Sequence, residues 1–209
     1  MKKTSAFIVL FPVLLLLMPG VLQADEPLQA ISPASRSGNP RQGIFLDEVG
    51  IGSGYVWGDL KRTPGTFRAY PALLRIGFDI NSLFGMPPRQ GTVQLAFEPF
   101  ANAVEEPDKG VEAGVDVFIR YLYPIARSVM AVSEIGSGPA YLGINTREQG
   151  GAGINILTQI GFGTRIDMSE SLSLNLGYRF RHLSCAGIRQ PNSGINSNLL
   201  TMGLSVRLR

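Results

Sequence analysis

The stretch 172–184 alternates strictly between apolar and polar residues. Its even positions from 172 to 180 are Leu, Leu, Leu, Tyr and Phe, and its odd positions from 173 to 181 are Ser, Asn, Gly, Arg and Arg. Because successive side chains of a β-strand point to opposite faces, this stretch has one apolar face and one cationic face. The apolar parity continues to His182 and Ser184, so a base and a nucleophilic hydroxyl end an apolar stripe. Whether that stripe contacts a protein core or lipid decides the function.

The N-terminal segment 1–24 has the layout of a secretory signal peptide. Lys2 and Lys3 precede an apolar run at 6–18, which is too short to span a membrane comfortably as a helix. We therefore predict an exported chain that is cleaved near residue 24. The segment 25–42 that follows is rich in Pro, Ser and polar residues and is expected to be an exposed periplasmic leader.

Composition excludes several classes of function. Cys185 is the only cysteine, so the chain has no intramolecular disulfide, and with His182 as the only histidine a zinc or iron–sulfur site is unsupported. We expect no metal and no cofactor. Lys2 and Lys3 carry two of the three net positive charges, so the mature chain is close to neutral and its charge gives no argument for nucleic-acid binding.

From residue 43 to residue 209 the chain divides into eight stretches with period-2 alternation, separated by turn residues. No stretch has a convincing amphipathic helical pattern, so the fold class predicted is all-β. The fifth stretch alternates poorly, and Gly136, Gly138 and Pro139 predict a bulge or bend there. The predicted strands cover about 43–58, 67–80, 91–104, 111–123, 128–142, 153–167, 172–184 and 196–208.

The composition of the two strand faces distinguishes a soluble β-sandwich from a membrane barrel. A sandwich would carry a solvated, lysine-rich polar face. Here Lys61 and Lys109, the only lysines after the predicted signal peptide, fall in loops, and the polar face has glycines and mixed charges suited to pairing inside a narrow barrel. We therefore predict an eight-stranded antiparallel transmembrane β-barrel of the outer membrane, with an apolar lipid-facing band and aromatic residues at its edges. The charged residues of the polar face are Glu48, Arg75, Asp79, Glu98, Glu112, Asp116, Arg120, Arg165, Arg179, Arg181 and Arg207, and Glu134 is expected to pair with an arginine inside the barrel.

Connection lengths predict the orientation of this barrel. With both termini in the periplasm, the seventh strand runs outward, and His182 and Ser184 lie at the outer leaflet. The external loops then fall near 59–66, 105–110, 143–152 and 185–195, and the internal turns near 81–90, 124–127 and 168–170.

His182 and Ser184 lie two residues apart on one face, with Cα atoms about 6.6 Å apart at ordinary strand rise. Side chains that lean together at this spacing allow an imidazole to accept a serine proton. A Ser–His dyad that faces lipid has an ester of a membrane lipid as its natural target. The simpler interpretation is a polar pair at the headgroup interface, but the chain places its only histidine there, where polar groups are costly.

The segment His182–Asn196, with the sequence HLSCAGIRQPNSGIN, resembles the H-x-S-N-A-G…P-N-x-G pattern of the outer-membrane lipid A 3-O-deacylases, the PagL-type family. The resemblance is specific over about 150–209. It implies a serine esterase that removes an acyl chain from the 3-position of lipid A, at a site on the outer face of the barrel. By this match Ser184 is the nucleophile, His182 is the base, and the Cys185 N–H and the Asn192 side chain hold the oxyanion.

Two positions depart from the family pattern. Cys185 stands where the family has asparagine, and Asn196 stands where its best-known members place the glutamate that orients the histidine. An asparagine accepts the imidazole N–H but cannot stabilise imidazolium as a carboxylate does, and in the serine-protease triad an Asp-to-Asn exchange costs about ten-thousand-fold. Glu148, in the loop between strands five and six, is a conjectured substitute for the missing acid.

Two classes of function remain open on the sequence. The first is an outer-membrane hydrolase acting on lipid A or lipopolysaccharide, or on an ester at another position, through His182, Ser184 and Asn196. The second is a non-enzymatic lipid-binding or structural barrel that kept the fold and lost the triad. A pore is disfavoured, since eight strands enclose only a packed interior. A homodimer is an assembly that we leave open.

Overall fold

A computed structural model describes residues 43–87 and 90–208 of this chain. The predicted signal peptide and the predicted leader lie outside the described residues. Within the two described ranges, no helix is both long enough and apolar enough to cross a membrane.

Eight antiparallel strands close into one barrel in sequence order, and β8 pairs back with β1 from Glu48↔Arg207 to Trp57↔Asn198. Closure pairs every strand on both edges, which is the arrangement that a lipid environment requires of β-structure. The predicted all-β fold with eight strands is confirmed. The strands are β1 (Phe45–Asp59), β2 (Thr66–Asp79), β3 (Thr92–Glu106), β4 (Gly110–Ala126), β5 (Val129–Leu142), β6 (Gly153–Asp167), β7 (Leu172–Ser184) and β8 (Ile195–Arg207).

The outer wall of the barrel is apolar over a continuous band. Ile51 and Ile154 are each 68% exposed, and Phe162 is 65% exposed, although all three lie within strands. Large apolar side chains at such exposure are unfavourable in water but suit contact with lipid acyl chains. The outward stripe of β7 that ends at His182 belongs to this lipid-facing band.

The polar parity lines the barrel interior as a chain of buried ion pairs. Arg179 is fully buried and contacts two carboxylates, Glu98 and Glu134, the latter at 2.6 Å. Arg120 binds Glu134 at 3.0 Å and Glu48 at 2.9 Å. Buried arginines of this kind require paired carboxylates, because an unpaired buried charge is strongly destabilising. The predicted pairing of Glu134 with arginine is confirmed.

Further ion pairs extend this network along the barrel, and the side chains together fill the space that eight strands enclose. The Phe118 ring lies 4.3 Å below the guanidinium of Arg179 and packs the same layer. The additional interior pairs are Arg75–Glu98, Arg181–Glu112, Arg165–Glu48, Arg165–Asp167 and Arg207–Asp167.

Of the bulge or bend predicted in the fifth strand, the bulge is wrong, although pairing with β4 is interrupted at Gly138 and Pro139, between the pairs Gly114↔Ala140 and Val117↔Ser137. β5 pairs with β6 in one continuous register from Val129↔Ile166 to Leu142↔Gly153. The glycines there make room for neighbours instead of kinking the strand. A Cβ on Gly136 would lie 2.4 Å from the Phe118 ring, so the missing side chain is what lets Phe118 fill the interior.

Four connections lie at the end of the barrel where β7 terminates and β8 begins. We name them L1 (60–65), L2 (107–109), L3 (143–152) and L4 (185–194). The connections at the opposite end are short except that between β2 and β3, which contains a single 3-10 turn, Asn81–Phe84. The predicted long connections are confirmed for L1, L3 and L4, whereas L2, predicted over 105–110, has only three residues and is shorter than the connection 168–171 at the opposite end.

Candidate active site

His182 and Asn196 occupy directly paired positions of β7 and β8 on the outer wall. The Nδ1 atom of His182 lies 2.7 Å from the Oδ1 atom of Asn196. Since an amide oxygen only accepts, Nδ1 is the donor of this pair, and in the neutral imidazole Nε2 is then the acceptor. The arrangement therefore orients His182, which is exposed, with its basic nitrogen available for another group.

Gly194, at the end of L4, lies against the imidazole of His182. It has a φ of +68°, and a Cβ at this position would lie 2.5 Å from the Cε1 atom of His182. A side chain here is therefore excluded both by the left-handed backbone and by the ring. Backbone contact with Gly194 on one side and the hydrogen bond to Asn196 on the other fix the position of the ring.

Ser184 is the last residue of β7 and is partly exposed on the same face as His182. Its Oγ atom donates to the Oδ1 atom of Asn192 at 3.3 Å, and the backbone N–H of Ala186 donates to the same Oγ at 3.2 Å. Ala186 adopts a positive φ of 51°, which turns its N–H back toward the serine. The hydroxyl thus lies in a tight turn with one side-chain and one backbone partner.

The backbone N–H of Cys185 is paired within the protein. It donates to the Oε1 atom of Gln149 at 3.1 Å and to the Oδ1 atom of Asn192 at 3.3 Å. The cysteine side chain is fully buried, as its inward parity predicts. The oxygen of Asn192 accepts from both Ser184 and Cys185, so its Nδ2 group is the donor that it offers to a ligand.

Glu148 in L3 does not contact His182, and the conjecture that it replaces the missing acid is wrong. Its carboxylate accepts hydrogen bonds from the backbone N–H groups of Arg62 and Thr63, at 2.6 and 2.9 Å, and from the Thr63 hydroxyl at 2.6 Å. Burial raises the pKa of this carboxyl, but these hydrogen bonds from Thr63 and Arg62 outweigh it, so the pKa of Glu148 lies below its ordinary value. Its role is to join L3 to L1.

A groove of about 590 Å³ lies on the outer wall beside Asn196, over β8, β1 and β2. The stacked rings of Tyr55 and Trp57, with centroids 5.8 Å apart, form part of its wall. Asp59, Lys61 and Arg68 lie at the loop end of the groove, and Arg68 is paired with Glu106 at 3.2 Å. The groove therefore offers apolar surface next to the barrel and charged groups of both signs toward the loops.

The family model described as lipid A 3-O-deacylase (PagL) matches residues 75–205 of the chain. This range spans well over half of the chain and includes His182, Ser184 and Asn196. The chain belongs to the lipid A 3-O-deacylase (PagL) family. With the closed barrel and its apolar outer wall, membership of the PagL family assigns the chain to the bacterial outer membrane.

Two solved barrels are similar to this chain. The outer membrane enzyme PagL has 20% sequence identity and a TM-score of 0.52, and the match covers 75% of this chain and 97% of that one. Neisserial surface protein A has 12% identity and a TM-score of 0.54, covering 80% of this chain and 100% of that one. At these identities the likeness shows the fold alone. No curated protein sequence matches the chain.

Sequence reasoning missed three residues that contact the predicted site: Gln149, Ala186 and Gly194. Gln149 and Ala186 lie in loops, where no periodicity indicates which way a side chain or an N–H group points. Gly194 is marked in the sequence only as the last glycine of the family pattern, and its contact with His182 can be recognised only in the three-dimensional structure. Of the residues that sequence did select, His182 is paired with Asn196 and Ser184 with Asn192. Among the described residues no hydrogen bond joins His182 to Ser184, because the serine hydroxyl donates to Asn192 instead.

Proposed function

We propose that this chain is a serine esterase that hydrolyses the 3-linked acyl ester of lipid A in the outer leaflet. The observation that carries the proposal is the hydrogen bond between His182 and Asn196, on the lipid-facing wall two residues from Ser184. It supplies an oriented base next to a hydroxyl at the place where a membrane lipid would lie.

In the proposed reaction the Ser184 Oγ attacks the acyl carbonyl while the Nε2 atom of His182 takes its proton. The ester C–O bond breaks, and His182 returns the proton to the departing sugar oxygen. Water, deprotonated by His182, then attacks the acyl-serine and releases the fatty acid with regeneration of Ser184. Asn196 holds His182 in the tautomer that this sequence of steps needs.

The oxyanion formed in both steps needs hydrogen-bond donors beside Ser184. The family resemblance suggests Asn192 and the Cys185 N–H for this role. The Nδ2 group of Asn192 is the proposed side-chain donor. The backbone N–H groups of Cys185 and Ala186 lie beside Ser184 but are both paired already, with Gln149 and with the Ser184 Oγ, so either of them must exchange its partner to bind the oxyanion. The groove beside Asn196 is the proposed place for acyl and phosphorylated parts of the substrate, through its apolar wall and through Lys61 and Arg68.

The experiment that tests the proposal is mass spectrometry of lipid A from cells that express the native chain or Ser184→Ala, with folded barrel confirmed in both. Loss of one 3-hydroxyacyl chain with the native protein and not with Ser184→Ala is the expected result. Loss of an acyl chain from another position would keep the esterase and overturn the 3-position. Unchanged lipid A with both chains would favour the lipid-binding or structural barrel instead.

A further inference from the structure

The two peptide groups that flank Ser184 share one side-chain partner, Gln149. Its Nε2 group donates to the Leu183 carbonyl at 3.0 Å, and its Oε1 atom accepts from the Cys185 N–H at 3.1 Å. Residues two apart in a strand direct their backbone groups to the same edge, so one amide reaches both. Gln149 is fully buried, which makes both bonds strong and costly to lose.

Gln149 takes the place of a neighbouring strand at this point. The β7–β8 ladder ends at Leu183↔Ile195, one residue before the serine. Beyond it the backbone of β7 has no β8 partner, and a side-chain amide presents the same donor and acceptor as a peptide group. The other edge of β7 stays paired with β6 as far as Ile156↔Ser184. Gln149 therefore holds the edge that β8 leaves, where the Cys185 N–H has Gln149 and Asn192 as its acceptors.

Glu148 anchors Gln149 from the other side. Its carboxylate binds L1 through Arg62 and Thr63, and its backbone carbonyl accepts from the Ser193 N–H at 2.8 Å. Ser193 follows Asn192, the residue whose oxygen contacts the serine. The Glu148–Gln149 pair thus connects L1, L3, L4 and the end of β7.

We infer that Glu148 and Gln149 are positioning residues for Ser184: Gln149 fixes the peptide groups on both sides of the serine, and Glu148 holds Gln149 in place. The inference rests on the proposed function, since the direction of the Ser184 hydroxyl matters only if it attacks substrate. Displacement of a reacting group by about 1 Å is enough to reduce turnover by about a hundredfold.

Replacement of Gln149 by glutamate gives a test that depends on pH. A neutral carboxylic acid offers one donor and one acceptor, as the amide does, whereas a carboxylate offers only acceptors and repels the Leu183 carbonyl. Turnover by Gln149→Glu, divided by that of the native enzyme at the same pH, should therefore rise as the pH falls. Gln149→Leu lacks both bonds at every pH, so its ratio should be low and constant.

The experiment measures kcat and KM for lipid A in detergent micelles across the acidic to neutral range. We expect kcat of Gln149→Leu to fall about a hundredfold with KM within about twofold of native. Gln94→Glu is the matched control: Gln94 is also fully buried, but binds Asp47 and Arg120 inside the barrel, and its kcat ratio should not change with pH in this way.

The outcomes distinguish a failure of the positioning role from a failure of the proposed esterase function. An active native enzyme with a Gln149→Glu ratio that is flat with pH, or a Gln149→Leu enzyme as active as native, overturns the positioning role and leaves the esterase intact. A native enzyme that is no more active than Ser184→Ala overturns the proposed function and the positioning role with it. If Gln149→Leu does not fold, the pH series of the folded Gln149→Glu enzyme decides alone.

Discussion

The Nδ1 atom of His182 lies 2.7 Å from the Oδ1 atom of Asn196, across directly paired positions of two neighbouring strands. The pair fixes the tautomer of the histidine but adds no negative charge beside it. The neighbouring pairs Arg181↔Ser197 and Leu183↔Ile195 hold the two backbones in place on either side of this pair. A glutamate side chain at position 196 can therefore reach the same nitrogen.

The first prediction concerns Asn196→Glu. A carboxylate at this position stabilises the imidazolium that forms during the reaction. Hydrogen bonds to charged groups are stronger than neutral ones, and the difference in free energy is enough to raise kcat about tenfold. Asn196→Leu removes the acceptor and should lower kcat. The measurement is turnover of purified enzyme on lipid A at neutral pH, and equal turnover of native, Asn196→Glu and Asn196→Leu enzymes would contradict a role for Asn196.

The second prediction uses two glycines of L4. Gly194→Ala places a methyl group in contact with His182 and should reduce kcat at least tenfold, because the ring must leave its hydrogen bond to Asn196. Gly187→Ala is the matched control, since Gly187 also has a positive φ, +81°, but nothing lies within 4 Å of its Cβ position. Both carry a similar backbone strain of about 1 kcal/mol, so similar turnover of the two variants would argue against the contact.

The third prediction follows from the lowered pKa of Glu148. A carboxyl whose pKa is lower in the folded state than in the unfolded state stabilises the fold at pH values above its ordinary pKa of 4.5. That stabilisation is lost as the pH falls through the folded-state pKa. Glu148→Gln should therefore unfold at a lower temperature than native protein at pH 7, with the difference shrinking as the pH falls below that ordinary value. A difference in Tm that is independent of pH would show that the charge of Glu148 does not stabilise the loops.

The fourth prediction concerns the buried ion pairs. Arg179→Met leaves Glu98 and Glu134 short of one partner in the barrel interior and should lower the free energy of unfolding by about 3 kcal/mol. Arg68→Met is the control, because the side chains of Arg68 and Glu106 are 45% and 40% exposed and their pair should contribute no more than about 1 kcal/mol. Urea unfolding in lipid vesicles measures both, and equal losses would contradict the assignment of the interior network as a stabilising element.

Sequence was sufficient for the barrel because a strand encodes its two environments residue by residue. Arg179 and Phe180 are neighbours in the chain, yet one is buried among carboxylates and the other faces outward. Period-2 alternation predicts this division without coordinates. The bulge predicted from Gly136, Gly138 and Pro139 is wrong because the pattern does not distinguish a glycine that accommodates an extra residue from one, such as Gly136, that makes room for Phe118.

The candidate site was predictable only in part. His182, Ser184 and Asn196 lie in strands or at their ends, so parity places them on one face. Gln149 is forty-seven positions from Asn196 along the chain, and its contacts depend on how L3 folds over the end of β7. No local pattern specifies such a contact, and the same limit explains the wrong conjecture for Glu148.

The interior of this barrel is filled by its ion pairs, and the candidate catalytic groups lie on the wall that faces lipid. A substrate therefore has no route to them through the protein and must arrive sideways, by diffusing within the leaflet that surrounds the barrel. Encounter then takes place in two dimensions, and turnover should follow the mole fraction of substrate in the surface rather than its bulk concentration. If inert phospholipid is added while the total amount of lipid A stays constant, turnover by this protein should fall as much as it does when lipid A is removed.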